Sequence, residues 1–158
     1  MTTITAIETA KLVLCILNNK DYYLIEHTSR LKLLKLLYYI QGYHLAVFDK
    51  PLFNDKIEAW TDGAVVPSVY EWMKDMTDIG IQDEELNKFA IPNLRLHPQQ
   101  IKLIKEVLYI YNKYSGYGLV DKICKETPYL NSYEYGKINE ITQDSLKSFF
   151  LPLIEKRL

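Results

Sequence analysis

The stretch from Arg30 to Phe48 reads RLKLLKLLYYIQGYHLAVF, and it decides the fold. Its leucines, isoleucine and tyrosines recur at helical spacing, but they spread around most of the helix circumference instead of forming one stripe. A helix that is apolar on most of its surface belongs in the centre of a domain, where other elements cover it. The stretch therefore predicts a central helix over about 30–48, and the side chain of Thr28 or Ser29 can cap its first turn.

Weaker periodicity elsewhere in the chain predicts further helices over residues 5–17, 67–76, 98–114, 118–125 and 142–150. Ser115-Gly116 is expected to end the helix that begins at Pro98, because glycine readily takes the left-handed conformation of a C-cap. Residues 77–97 have little periodicity and carry an acidic cluster between Gly80 and Pro92, which predicts loops and at most one helical turn.

Two short pieces, Pro51-Leu52-Phe53 and Lys56–Trp60, flank Asn54-Asp55. Asn and Asp favour tight turns, so we predict a small β-hairpin or arm near 51–60. Thr61-Asp62-Gly63 is a second turn signal. The expected fold is mainly α, a single compact helical domain over residues 1–158 built around the central apolar helix, with the hairpin or arm beside it.

Composition restricts the class of protein. Lys and Arg number 19 against 20 for Asp and Glu, so the chain has no large positive field, and a nucleic-acid partner is not favoured. The apolar runs are far shorter than the roughly 20 residues of a membrane span. The first residues lack the pattern of a secretion signal, which favours a cytoplasmic protein. Cys15 and Cys124 lie far apart and are expected to be reduced packing residues.

The sequence contains no recognisable catalytic or metal-binding motif. His27, His44 and His97 are isolated from one another, and no glycine-rich phosphate loop or nucleophile elbow occurs. Carboxylates near turns are usually exposed to solvent, so those of this chain do not indicate an acid–base pair. We therefore expect a binding protein without enzymatic activity, cofactor or metal.

Aromatic residues concentrate in the turn-rich centre and the helix before it: Tyr38, Tyr39, Tyr43, Trp60, Tyr70 and Trp72. Tyr38 and Trp72 are expected to lie in the core. Trp60 immediately precedes the turn Thr61-Asp62-Gly63. Exposed aromatic residues at turns are frequent anchors of protein–protein contacts, because they bury much area while few rotamers are lost.

Three consecutive motifs resemble one known family. Lys32–Ala46 (KLLKLLYYIQGYHLA) is similar to the family's KLQKLLYYAQGWHLA helix. Lys50–Asp55 and Ile57–Trp60 are similar to its GKPLFDD and IEAW pieces, and Gly63–Tyr70 (GAVVPSVY) is similar to GPVVPSVY. More loosely, Leu119–Tyr129 (LVDKICKETPY) resembles LSxxTHxExPW, and Ile141–Phe150 resembles the closing helix. By these motifs the chain resembles the Panacea antitoxin domain, also described as SocA-like or as the phage-associated GepA-like protein.

Several positions depart from the family pattern. Tyr129 stands where the motif has Trp, and neither the Thr nor the His of the motif is kept. Ala64 replaces the Pro after the glycine, and Asp62 replaces an aromatic residue. If partner contacts use these positions, the specificity of this chain differs from that of its relatives.

The resemblance implies an antitoxin that neutralises a toxin encoded by a neighbouring gene through direct protein–protein binding. It also implies that the antitoxin can act as a proteolytic adaptor, which delivers the toxin to a protease such as a AAA+ protease. We expect partner contacts around a platform formed by the central helix and residues 51–67, at Tyr39, Tyr43, Trp60, Asp62, Tyr70, Lys125, Glu126 and Tyr129. Structural roles are expected at Lys35, Tyr38, Gln41, Gly63, Pro67 and Pro128.

The sequence is also compatible with other interpretations. The polar cluster of Lys35, Tyr38 and Gln41 is either a hydrogen-bond network that fixes the packing, which we prefer, or a partner site. For the function, the main alternative is a phage- or mobile-element-associated protein that binds a host factor without a dedicated toxin. An enzyme of unrecognised type would need convergent titratable groups in a pocket, and a regulatory nucleic-acid binder would need a local basic face.

Overall fold

A computed structural model describes residues 1–17, 29–74 and 94–156. Within these ranges the chain forms seven helices and one three-stranded sheet, which confirms the mainly α fold. In chain order the elements are α1 (Ala6–Leu17), α2 (Arg30–Phe48), β1 (Ile57–Trp60), β2 (Gly63–Val65), α3 (Pro67–Met73), α4 (Pro98–Tyr111), α5 (Gly116–Ile123), α6 (Thr127–Leu130), β3 (Asn139–Ile141) and α7 (Gln143–Glu155). No helix among the described residues is both long and apolar enough to span a bilayer.

Helix α2 is the central element, as its apolar circumference predicts. Every residue from Lys32 to Ala46 is buried, and α7, α4 and α5 make the largest helix contacts with it. Ser29 caps its first turn, where the hydroxyl oxygen accepts a hydrogen bond from the amide of Lys32 at 3.1 Å. Asp49, in the left-handed conformation with φ 58°, ends it. The core of the protein is therefore built around one helix that has almost no solvent-facing side.

The close approach of α7 to α2 depends on Gly42. A Cβ atom at this position would overlap the ring of Phe150, a fully buried residue of α7. The same ring makes edge or tilted contacts with Tyr38, Tyr39 and Tyr43. Glycine is unfavourable in a helix interior by about 1 kcal/mol relative to alanine, so its presence here follows from packing and not from helix propensity.

The sheet corrects the predicted position of the hairpin. Strands β1 and β2 are antiparallel and flank the two-residue turn Thr61-Asp62, with Trp60 opposite Gly63, so the turn is not at Asn54-Asp55. Asp55 instead accepts hydrogen bonds from the amide of Ala6 (3.0 Å) and the hydroxyl of Ser68 (2.6 Å). Asp55, although its residue type favours turns, thus connects α1 to the start of α3. Strand β3, which was not predicted, pairs with the other edge of β1.

Two helix boundaries also differ from the prediction. Ser115 and Gly116 do not cap the end of α4, because Ser115 is the N-cap of α5 and accepts from the amide of Gly118 at 3.0 Å. Gly116 is the first residue of that helix. A short helix, α6, then begins at Thr127, where a break was expected. The predictions made for His27, Thr28 and most of residues 77–97 concern positions outside the described residues.

We predict that Gly42→Ala destabilises the protein by about 3 kcal/mol, because the added methyl group forces α2 and α7 apart in a densely packed core. Chemical denaturation measures this change. Phe150→Leu removes part of the ring that the methyl group meets, so the double variant should be less destabilised than the sum of the two single variants. Strict additivity of the two substitutions would contradict the proposed contact.

Candidate functional site

A cleft of about 390 Å³ lies between the first half of α2, the β1–β2 turn, α3 and the loop after α6. Its walls are mainly apolar and aromatic, with a few polar and charged groups. The lining residues include Leu31, Leu34, Trp60, Val65, Tyr70, Tyr133 and Ile138, together with Lys35, Thr61, Asp62, Glu134 and Lys137. A concave apolar surface with few polar groups is the usual form of a binding site.

Trp60 is held in a defined orientation at this cleft. Its ring meets that of Tyr70 edge to face, with centroids 5.0 Å apart, and its indole nitrogen donates a hydrogen bond to Glu58 at 3.0 Å. The hydroxyl of Tyr129 donates to the carbonyl oxygen of Trp60 at 2.7 Å. Trp60 is half-buried, so part of the ring remains available to a partner. A pre-oriented aromatic ring loses little entropy on binding.

Asp62 lies at the tip of the β1–β2 turn and is exposed. No hydrogen bond or ion pair joins its carboxylate to another described residue. Gly63 follows with φ 100°, a conformation that other residues rarely adopt, and this fixes the turn that presents Asp62 to the cleft.

The apolar surface continues beyond the cleft along the flank of α2. A second cavity of about 550 Å³ shares Leu31, Leu34 and Tyr70 with the first, and it extends to Met73 and Tyr117. Tyr70 is 40% exposed and Tyr117 72% exposed. The two cavities therefore have one wall in common, formed by Leu31, Leu34 and Tyr70.

Lys35 forms the floor of the cleft. It is fully buried, and its ammonium group donates to the carbonyl oxygen of Ala64 in β2 at 2.8 Å. Burial lowers the pKa of Lys35 to about 8, although the nearby Asp62 partly opposes this effect. A Cβ atom on Gly63 would lie 3.3 Å from the Cε atom of Lys35, so Lys35 and the turn pack tightly. These contacts hold α2 against the hairpin, and the structural role of Lys35 stays a prediction.

Glu126 occupies a second buried polar site behind the cleft. The hydroxyl groups of Tyr38 and Tyr39 donate to its carboxylate at 3.0 and 3.1 Å. Burial raises the pKa of Glu126 from 4.5 to about 7, and the two hydrogen bonds oppose this only in part. Burial, and then the charge of Glu126, raise the pKa of each tyrosine. The site joins α2 to the start of α6.

Four of the residues expected at the partner-binding rim are buried, which corrects their placement. Tyr39 is 0% exposed and its ring stacks on Tyr111 at 3.9 Å, while Tyr43 donates to or accepts from the Tyr111 hydroxyl at 2.8 Å. Glu126 and Tyr129 are also buried, and both support the segments that form the cleft. These four side chains are packed inside the fold, so they cannot contact a partner in this conformation.

Trp60, Asp62 and Tyr70 are brought together at the cleft, as the rim prediction requires. Lys125 is exposed between α5 and α6 but does not line the cleft, so a contact there remains a prediction. Pro67 is the first residue of α3, where its missing amide proton leaves no hydrogen bond unmade. Pro128 is buried in α6.

The two histidines among the described residues, His44 and His97, make hydrogen bonds that support the fold. His44 donates from Nδ1 to the carbonyl oxygen of Lys50 at 2.6 Å, and its Nε2 lies 3.0 Å from the side-chain nitrogen of Gln100. Burial lowers the pKa of His44. His97 caps α4. In the parts of the chain that the structure describes, His, Cys, Asp and Glu side chains form no group able to hold a metal ion.

Several lining residues of the cleft were not singled out in the sequence. The helical pattern indicates only that Leu31 and Leu34 are core positions of the central helix. Tyr133 and Ile138 belong to a region without periodicity, where the one available signal was the density of tyrosines around Gly136. Their approach to Trp60 follows from the pairing of β3 with β1, which local sequence does not show.

A family model described as "Antitoxin SocA-like, Panacea domain" matches residues 33–129, more than half of the chain. The chain belongs to this family. The part that matches the Panacea domain runs from α2 into α6, so it includes the Trp60 hairpin, α3 and the Glu126 site. Helix α7 and strand β3 lie outside it. No curated protein and no solved structure matches the chain significantly.

We predict that Gln41→Leu lowers the stability of this Panacea domain by about 3 kcal/mol and leaves partner binding unchanged. Gln41 is buried, donates to the carbonyl oxygen of Phe53 at 2.7 Å and accepts from the amide of Leu52 at 2.9 Å. Leucine would leave both backbone groups buried without a partner. Denaturation gives the stability. Lost binding at unchanged stability would instead favour the partner-site alternative.

We also predict a pH dependence that comes from Glu126. Its pKa is about 7 in the folded protein against 4.5 when unperturbed, so the folded state holds the proton more tightly. The stabilisation from the protonated carboxyl is therefore complete below pH 4.5 and is lost as pH rises through 7. Relative to Glu126→Gln, the free energy of unfolding of the unsubstituted protein should fall by about 3 kcal/mol over this range.

Denaturation curves at a series of pH values measure this difference. The exposed Glu106 offers a matched control, since Glu106→Gln removes one carboxylate without changing a buried group. Parallel stability profiles for the unsubstituted protein and Glu126→Gln would show that Glu126 titrates normally.

Proposed function

We propose that this protein is the antitoxin of a toxin–antitoxin pair and that it neutralises its toxin by binding it directly in the cleft beside Trp60. The family match over residues 33–129 carries the antitoxin assignment. Support for the position comes from the cleft, which combines a pre-oriented tryptophan, an exposed tyrosine and an exposed carboxylate on one apolar surface. An antitoxin of this kind needs a binding surface and no catalytic residues, and it would act in the cytoplasm, where its toxin is synthesised.

The first test is co-expression with the neighbouring gene. If the neighbour encodes the toxin, its expression alone should arrest growth, and this protein should restore growth and copurify with it. A neighbour that is not toxic and does not bind would remove the antitoxin proposal. A protein captured instead from the host would favour the host-factor alternative, and its identity could be established by reconstitution from purified components.

The mechanism of neutralisation can be separated from binding. If the antitoxin occludes the toxin, the toxin should accumulate as a stable complex. If the antitoxin delivers the toxin to a AAA+ protease, the half-life of the toxin should shorten when the antitoxin is present and should recover in a strain that lacks the protease. Pulse-chase measurement of the toxin distinguishes these outcomes.

We predict that Trp60→Ala weakens the toxin complex by about 2 kcal/mol or more, because Trp60 is the best-oriented aromatic anchor of the cleft. Titration calorimetry with purified toxin measures the change. Tyr109→Ala is a matched control, since Tyr109 is an aromatic residue on α4 that is 82% exposed and lies outside the cleft. If Trp60→Ala unfolds the protein, or binds the toxin as well as the control does, Trp60 is not an anchor.

A further inference from the structure

The charged groups around the cleft are unevenly matched. The two lysines that line the cleft are both engaged: Lys35 is bonded to the carbonyl oxygen of Ala64, and Lys137 pairs with Glu134 at 3.2 Å. The carboxylate of Asp62 has no such partner among the described residues and is exposed. Asp62 also lies near the buried ammonium group of Lys35, but among the described residues that line the cleft it is the charged group that is exposed and makes no hydrogen bond or ion pair.

Two further carboxylates lie on the sheet beside Trp60. Glu58 and Glu140 are directly opposite one another on β1 and β3, an arrangement in which like charges repel. The indole nitrogen of Trp60 donates to Glu58, which holds this carboxylate against the aromatic ring. Trp60 therefore has carboxylates on both its sheet side and its turn side, in addition to the two lysines of the cleft.

The apolar part of the cleft has a shape that suits a long side chain. The faces of Trp60 and Tyr70 meet at an angle of 67°, and Leu31 and Leu34 form the wall along α2. Lysine and arginine side chains bury their alkyl stems on such surfaces while the charged end stays near water or a counter-ion. Aromatic faces attract cations as well, and this attraction is strongest for tryptophan.

From this combination we propose that the cleft is a receptor for a basic side chain, arginine or lysine, from an apolar segment of the partner protein, with its stem against Trp60 and Tyr70 and its charge at Asp62. The inference rests on the proposed function, because it names the chemistry of the segment that the antitoxin would recognise. Arginine fits best, since its planar guanidinium can stack on an aromatic ring while it donates two hydrogen bonds to a carboxylate.

The test does not require the toxin. The probe is the peptide acetyl-Leu-Arg-Leu-amide, compared with its citrulline counterpart, which has nearly the same shape but no charge. Binding is followed by the indole N–H signals in nitrogen-15 NMR spectra. The chain has two tryptophans, and Trp72 does not line the cleft, so it serves as an internal reference.

The arginine peptide should shift the Trp60 signal saturably, bind about tenfold more tightly than the citrulline peptide, and bind more weakly as salt is raised. Asp62→Asn should reduce this preference to about twofold or less, because the paired charge is removed. Glu106→Gln, which removes an exposed carboxylate on α4, should leave the preference unchanged.

Three results would overturn the inference: no saturable shift of Trp60, equal binding of the two peptides, or an unchanged preference in Asp62→Asn. Each is distinguishable from failure of the proposed function, which the growth assay reports separately. An antitoxin that restores growth but does not prefer the arginine peptide would keep its function and lose only the basic-side-chain receptor.

Discussion

Hydrogen bonds from the buried polar side chains of α2 to the backbone around it are the interactions on which the rest of the structure depends. A helix that is covered on all sides cannot leave these groups to water, so each must find a partner inside the protein. The partners come from different segments: Lys32 bonds Asn112, Lys35 bonds Ala64, Gln41 bonds Leu52 and Phe53, and His44 bonds Lys50. The hydrogen bonds of these α2 side chains therefore also fix the positions of the hairpin, the arm before it and the end of α4.

The central helix was predictable because its evidence is local. Apolar residues around the circumference of 30–48 indicate burial whatever the neighbouring elements are, and Ser29 supplies the cap. The hairpin was misplaced because Asn54-Asp55 has the composition of a turn, whereas the role of Asp55 is to bind Ala6 and Ser68. A carboxylate that caps a distant helix and one that stabilises its own turn look the same in a sequence.

The site was predictable only in part, for a related reason. Trp60 and Asp62 were expected at the surface because one precedes a turn and the other lies in it, and turns are usually at the surface. Tyr39 and Tyr43 were misplaced because a helix that is apolar on every side has no periodicity to show which of its tyrosines face outward. The burial of Glu126 depends on hydroxyl groups of Tyr38 and Tyr39, which are far from it in sequence. No local pattern reports such a contact.

Lys35 and Glu126 are two buried ionisable groups beneath the cleft. They fix the positions of the elements around them more than they stabilise the fold. Apolar residues of similar volume often stabilise a core as well as a buried charge does, so stability alone does not account for Lys35 and Glu126. A shift of α2 by one residue would separate Lys35 from Ala64 and Tyr39 from Glu126, and each broken bond would leave a polar group unpaired in a low dielectric.

Because Ala64 lies in the hairpin that carries Trp60, this penalty also fixes Trp60 relative to Leu31 and Leu34. Burial moves the pKa of Lys35 down to about 8 and that of Glu126 up to about 7, and both shifts favour the neutral form. Near neutral pH Lys35 therefore stays mainly protonated while Glu126 is partly protonated, so the protein keeps the directional bonds that align its cleft with less negative charge in the core.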